Sequence, residues 1–261
     1  MKSARLKLAR AEEHLTVLDA EIRRYFDSKP HRVTKERYEQ NRGAMFVEVI
    51  RDFPEAIATL AGDAAHNLRS APDHVVYAVS RSRFRRGSYF PVCTCERDYL
   101  GPRDDGRPAR RSEGLGGVPE KLLAVFDAAQ PYVRGDDAAK HPLACVTRLD
   151  NADKHRAIQP ASAIVDVWQS VFVQTQPRPD PTVSGVLHID WLAQGVRLAL
   201  GKQTKVLEWT IDPPPPPADV RVQIEPRIDV SFGKRTTMAD LYAARDLIAE
   251  QNIGPVEAKI S

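Results

Sequence analysis

Cysteine is scarce, three in 261 residues, and Cys93, Cys95 and Cys145 form neither an even framework nor a C-x-x-C pair. That excludes a disulfide-stapled secreted scaffold and fits a reducing cytoplasm, and a zinc site would need a second cysteine pair. A charge excess is lacking too. Lys and Arg total 38 against 35 Asp and Glu, leaving +3, so any polyanion site must come from local clustering. No apolar run approaches the roughly 20 residues that cross a bilayer, and the opening MKSARLKLARAEEHL has no continuous apolar stretch of the signal-peptide kind. The expectation is a cytoplasmic protein without membrane contact. The remainder, 42% hydrophobic and 28% charged, is ordinary for a globular chain and long enough for one large domain or two small ones.

Residues 4 to 27 repeat Leu8, Ala11, Leu15, Leu18, Ile22, Tyr25 and Phe26 at helical spacing, which predicts an amphipathic helix. The segment 35–51 predicts two short strands around Asn41-Arg42-Gly43. Asp52 and Pro54 then start a second helix running to about 80. From 81 to 117 the chain is rich in Arg, Gly and Pro, with nine Arg against four acids up to Arg111, and reads as a long basic loop. Helices are expected near 118–131 and 142–156. Beyond these the texture turns to β, with strands expected at 162–175, 184–190, 195–201, 204–211, 219–225 and 227–233 and with Trp168, Trp191 and Trp209 in the sheet core. Five prolines at 213–217 form a stiff spacer. Thr237 with Asp240 resembles a capping box opening a last helix at 237–251. The fold class expected is α+β: a helical bundle over 1–158, with the 35–51 hairpin and the 81–117 loop, joined to an antiparallel β region at 159–235, and a C-terminal helix at 236–261 packing back on the bundle.

The second helix carries GDAAHNLRSAPDHVVYAV from Gly62 to Val79. At about 100° per residue, Leu60, Ala64, Leu68, Ala71, Val75, Ala78 and Val79 share one side. Asp63, Asn67, Ser70, His74 and Tyr77 line the other, with His66 and Asp73 beside them and Arg69 at the flank. Pro72 removes the bond to Leu68 and is expected to kink the helix. A solvated face is usually built from Lys, Glu and Gln, whereas this one has two His, an Asn, a Ser, a Tyr and no Lys, a set suited to fixed hydrogen bonds. A solvated face, a buried polar network and a functional site all stay open. A second cluster, Asp150, Asn151, Asp153, Lys154, His155 and Arg156, ends the fourth helix. Its cations suit a helix C-terminus, and the two clusters can also converge in one groove. An alternative chemistry is a metal site with ligands drawn from Asp63, His66, His74, Asp150, Asp153 and His155. Another is a non-catalytic binding or regulatory protein.

The stretch His66 to His74, HNLRSAPDH, resembles the GD-x-x-H-N-L-R-S-A-L-D-H signature of a widespread group of bacterial proteins, and LDNADKHR resembles that group's second motif. Arg69 and His74 are also similar to the Arg-x4–6-His pattern of the HEPN superfamily, helical domains that bind RNA or cut it without a metal. HEPN nucleases usually carry Asn, Asp or His directly after the Arg, where this chain has Ser70. The resemblance implies an RNA-binding protein of toxin or defence type that can act as a metal-independent endoribonuclease. Arg69 would hold the phosphate, His74 would move a proton, Asp73 or Asn67 would orient an imidazole, and His66 completes the candidate catalytic set. It implies no cofactor, and it implies pairing as a homodimer with RNA, or a cognate protein, as partner. Arg81, Arg83, Arg85 and Arg86 would attract the RNA backbone, and Phe84, Tyr89, Phe90 and Tyr99 are candidates to stack on bases.

Overall fold

The computed structural model describes residues 1–39, 41–103, 105–155, 158, 160–168, 186–193, 196–212, 225–233 and 236–260, with the backbone alone at 161–168, 186–187 and 225–227. Arg156, the proline run 213–217, and the parts 169–175 and 219–224 of the strands expected at 162–175 and 219–225 lie outside these residues. The chain divides into two compact units, one of residues 1–22, 55–159 and 232–261, the other of residues 23–54 and 160–231.

The first unit is helical. α1 (Lys2–Asp27) turns Ala4, Ala11, Leu15 and Leu18 inward with no exposure, the stripe its spacing predicts. α2 (Glu55–Val79) runs unbroken through Pro72. Its buried arc is wider than the seven positions expected, because Ile57, Ala61, Gly62, Ala65, Pro72 and Val76 are buried as well. Ala78 is exposed and Leu60 and Val79 only half-buried, since these three lie toward the ends of the helix.

The expected loop at 81–117 holds a 3₁₀ turn at Ser82–Phe84 and two short helices, α3 (Glu96–Leu100) and α4 (Arg110–Leu115). What ties it down is burial: Phe90 and Tyr99 are fully enclosed and Leu115 nearly so. Helices of five or six residues are too short to print a periodicity, which is why composition alone reads as loop. α5 (Glu120–Ala128) is shorter than expected and hands over to a 3₁₀ segment, Pro131–Lys140, and α6 (Pro142–His155) follows. α7 (Met238–Leu247) opens on the reciprocal capping box of Thr237 and Asp240. It passes through a π turn, Ile248–Ile253, into α8 (Gly254–Ile260).

The second unit is built on an antiparallel sheet. β1 (His31–Arg37) and β2 (Arg42–Val49) form the hairpin. β2 pairs with β5 (Gln203–Asp212), and β5 with β4 (Val186–Leu192), in the order β1-β2-β5-β4. β3 (Pro160–Trp168) pairs separately with β6 (Glu225–Phe232). Met45, Val47, Val206, Leu207, Trp209 and Ile211 make the core of the four-stranded sheet. Gly43 lies opposite Trp209, and a Cβ there would stand 2.4 Å from the indole Cζ2, so only glycine lets the ring lie across β2. Trp191 departs from expectation. A register shift between Ile189 and Trp191 sets it opposite Glu208 and leaves it 43% exposed, because a bulge turns every later side chain to the other face. The strand expected at 195–201 is reduced among the described residues to isolated bridges at Arg197 and Leu200, the latter pairing in parallel with Val49.

Candidate functional site

The register between α2 and α6 sets the site. Asp153 rests where a Cβ on Gly62 would be, its carboxylate carbon 2.6 Å from that point. One turn further along α2 and one turn back along α6, His66 Nδ1 meets Asp150 Oδ1 at 3.1 Å. Asp150 is buried, its side chain 3% exposed, while His66 is 49% exposed. Lys154 Nζ donates to the second carboxylate oxygen, Oδ2, at 2.6 Å. The two polar clusters therefore meet, through glycine on one side and a shared buried carboxylate on the other.

Another turn along α2, Arg69 Nη1 donates to Asp73 Oδ1 at 2.9 Å and Nη2 donates to the Phe90 carbonyl, also at 2.9 Å. The Phe90 N–H donates to the same Asp73 oxygen at 2.7 Å. Beyond Phe90 the chain is held by Gln130, which accepts from the Cys93 N–H through Oε1 and donates through Nε2 to the Pro91 and Phe126 carbonyls. A cleft of about 430 Å³ lies against this wall. Arg69, Ser70 and Asp73 of α2, Thr147, Asn151 and Lys154 of α6, and Arg110 of α4 line it. Arg110 makes no ion pair among the described residues, and Thr147 Oγ1 is a buried hydroxyl without a partner. Cys93 also lines the cleft, but burial pushes its thiol up to about 11, so it stays protonated and is no nucleophile at neutral pH. Burial and the bond to Glu113 likewise push the Tyr89 phenol up to about 12.

His74 belongs elsewhere. Five residues from Arg69 along a helix is about 140° of rotation, and its Nδ1 lies 2.5 Å from Ser3 Oγ on α1. Asn67, buried, also turns to α1: it accepts from Lys7 Nζ at 3.2 Å and donates to its own helix at the Asp63 carbonyl. The polar stripe thus divides, His66, Arg69 and Asp73 toward α6 and the Phe90 wall, Asn67 and His74 toward α1. Asp63, Asp153 and His155 are exposed. Among the described residues no group of three or more His, Cys, Asp and Glu side chains is placed to hold a metal ion.

The four arginines after α2 form an exposed corner. The Arg81 N–H donates to the Gly117 carbonyl and the Phe84 N–H to the Arg81 carbonyl. The Arg83 guanidinium lies 4.7 Å from the Phe84 ring centre and that of Arg85 lies 5.5 Å from Tyr77. Of the candidate stacking rings, Phe84 alone is exposed. Phe90 and Tyr99 are enclosed, and the Tyr89 hydroxyl donates to Glu113.

Sequence reasoning overlooked Thr147, counted Arg110 only as one cation of the basic loop, and placed Tyr77 on the polar side of α2 without singling it out as a stacking ring. Helical spacing carries a signal for the first, since Thr147 stands three and four residues before Asp150 and Asn151 on one face of α6. Arg110 carries none, because its position depends on how the 81–117 segment folds. No helix among the described residues is long and apolar enough to cross a membrane. Comparison with protein-family models, curated proteins and solved structures finds no match to this chain.

Proposed function

We propose that the protein, HEPN-like in its Arg69 and His74 pattern, is a cytoplasmic RNA-binding protein that cleaves the RNA backbone without a metal but through a different imidazole, with His66 as the proton-moving group and Arg69 and Lys154 as the phosphate-holding charges. The observation that carries this reading is the bond from His66 Nδ1 to Asp150 Oδ1. A buried carboxylate that takes one ring nitrogen fixes the tautomer and leaves Nε2 to act as acid or base. Cleavage of this kind needs a base for the 2′-hydroxyl proton, an acid for the departing 5′-oxygen and positive charge on the five-coordinate transition state. Attack of the 2′-oxygen on phosphorus breaks the bond to the 5′-oxygen and leaves a 2′,3′-cyclic phosphate and a 5′-hydroxyl. His66 Nε2 takes the 2′ proton. Pairing as a homodimer supplies the acid from the partner subunit's His66.

The cations of the cleft support the same reading, because Lys154 and Arg110 bring charge to the surface beside Asp150. The test is incubation of mixed single-stranded RNA with the protein in EDTA, with the new ends mapped. Cyclic phosphate ends that form more slowly with Asp150→Asn support the proposal; their absence with the intact protein refutes it.

One observation favours a second, non-catalytic reading. Both terminal nitrogens of Arg69 are engaged, with Asp73 and with the Phe90 carbonyl, and its side chain is only 17% exposed. In that reading Arg69 braces the cleft wall, and Arg69→Ala lowers stability without any cleavage to lose.

A further inference from the structure

We infer that the corner at Arg81–Arg86 is a stacking platform for single-stranded RNA, with Phe84 and Tyr77 each receiving a base and the arginines following the backbone. The inference rests on the reading of the protein as RNA-binding and specifies the form of the nucleic acid.

Charge and shape point to this occupant together. Arg81, Arg83, Arg85 and Arg86 are all exposed within six residues, and no carboxylate among the described residues pairs with any of them. Uncompensated guanidinium groups attract a polyanion and release its counterions on contact. Charge alone would serve a duplex equally well. The rings make the distinction, since Phe84 is 40% and Tyr77 52% exposed, large apolar surfaces that a duplex with its bases stacked inside cannot use. Each ring carries a guanidinium over one side, Arg83 on Phe84 and Arg85 on Tyr77. A base on the opposite side completes a base, ring and cation stack.

The corner is also held in place. Arg85 Nε donates to the Ser80 carbonyl at 3.2 Å, the Arg81 N–H donates to the Gly117 carbonyl at 2.9 Å, and Phe84 Cβ packs where a side chain on Gly117 would be. A fixed ring loses little conformational freedom when a base lands on it. An exposed arginine on an aromatic ring also occurs as plain surface packing, and the variants below separate the two roles.

The experiment compares binding of the full chain to a fluorescent ten-nucleotide RNA, to the same RNA as a duplex, and to an abasic ribose-phosphate oligomer of equal length, in EDTA and at several salt concentrations. Phe84→Leu and Tyr77→Leu keep an apolar side chain at each position and remove the π face. The inference expects the single strand to bind tightest, with roughly 10-fold weaker binding for each ring replaced. Arg86→Gln should reduce the log-log salt slope by about 0.7. Equal binding of all three ligands would overturn the platform while leaving RNA binding intact, as would single-strand selectivity that survives both leucine variants. No binding of any ligand would overturn both the platform and the RNA reading.

Discussion

Asp127→Ala tests what turns the 81–117 segment into a wall of the cleft. Asp127 accepts from the Tyr99 hydroxyl at 2.7 Å and from Nε and Nη2 of Arg111 at 2.8 Å each. Tyr99 is wholly enclosed, so removing the carboxylate strands a buried hydroxyl, at a cost of about 1–3 kcal/mol. The Arg111–Asp127 pair is 29% and 30% exposed, and solvent screening limits its share to about 1 kcal/mol. The sum, about 2–4 kcal/mol, lowers the melting temperature by roughly 5–15 °C for a chain of this size. Tyr99→Phe removes the hydroxyl and leaves the Arg111 bonds, costing about 1 kcal/mol. The double variant strands no buried hydroxyl, so it should cost less than the two singles added, by about 1 kcal/mol or more. Burial raises the Asp127 carboxyl, but its bonds to Arg111 and Tyr99 outweigh that and hold it below the ordinary 3.8. Its contribution is then full above 3.8 and fades as pH falls through the folded value. Urea unfolding at pH 7 and at pH 3 measures all of this. Additive single effects, or an Asp127→Ala loss below about 0.5 kcal/mol, would refute the reasoning.

His141, buried at the start of α6, accepts the Leu143 N–H through Nδ1 at 3.2 Å; burial first and the Arg134 charge second push it down to about 4. Because the folded value is depressed below 6.5, its contribution is full above 6.5 and is lost as pH falls toward 4, by at most about 3 kcal/mol. His141→Asn keeps an acceptor for Leu143 and should flatten unfolding free energy over that window; an unchanged pH profile would contradict this. Gly43→Ala brings a Cβ to 2.4 Å from Trp209 Cζ2 and 2.6 Å from the Glu36 carbonyl, and should cost about 1–3 kcal/mol, read by tryptophan fluorescence during denaturation. Gln130→Ala removes the three bonds holding residues 91–93 and the Phe126 carbonyl, and hydrogen exchange at the Cys93 N–H, which loses its acceptor, should rise at least tenfold; an unchanged rate would contradict this.

The long periodic elements were legible. The α1 stripe, the Thr237–Asp240 box and the 35–51 hairpin need only neighbours in sequence, and α2 announced its own polar side. The partners of that polar side were not legible. His66 finds Asp150 and not Asp73 because Gly62 lets Asp153 close in and sets the register, a consequence of helix packing that no spacing within α2 contains. His74 turned to Ser3 for the same reason: the stripe is wide enough to face two neighbours. The 81–117 segment reads as loop in sequence because Gln130, Asp127 and Asp73, distant in sequence, supply its anchors one residue at a time. Trp191 was misplaced by a bulge, which alters phase without altering composition.

The central claim is that the imidazole held by buried Asp150 moves the proton. The most direct measurement is the rate of RNA cleavage in EDTA for the intact protein, His66→Ala and His74→Ala, with folding of each verified by circular dichroism. The account predicts cyclic phosphate ends from the intact protein, a loss of about 10²–10⁴ in rate for His66→Ala, and a rate within a few-fold of the intact protein for His74→Ala. Full activity in a folded His66→Ala, or its loss in a folded His74→Ala, would contradict it.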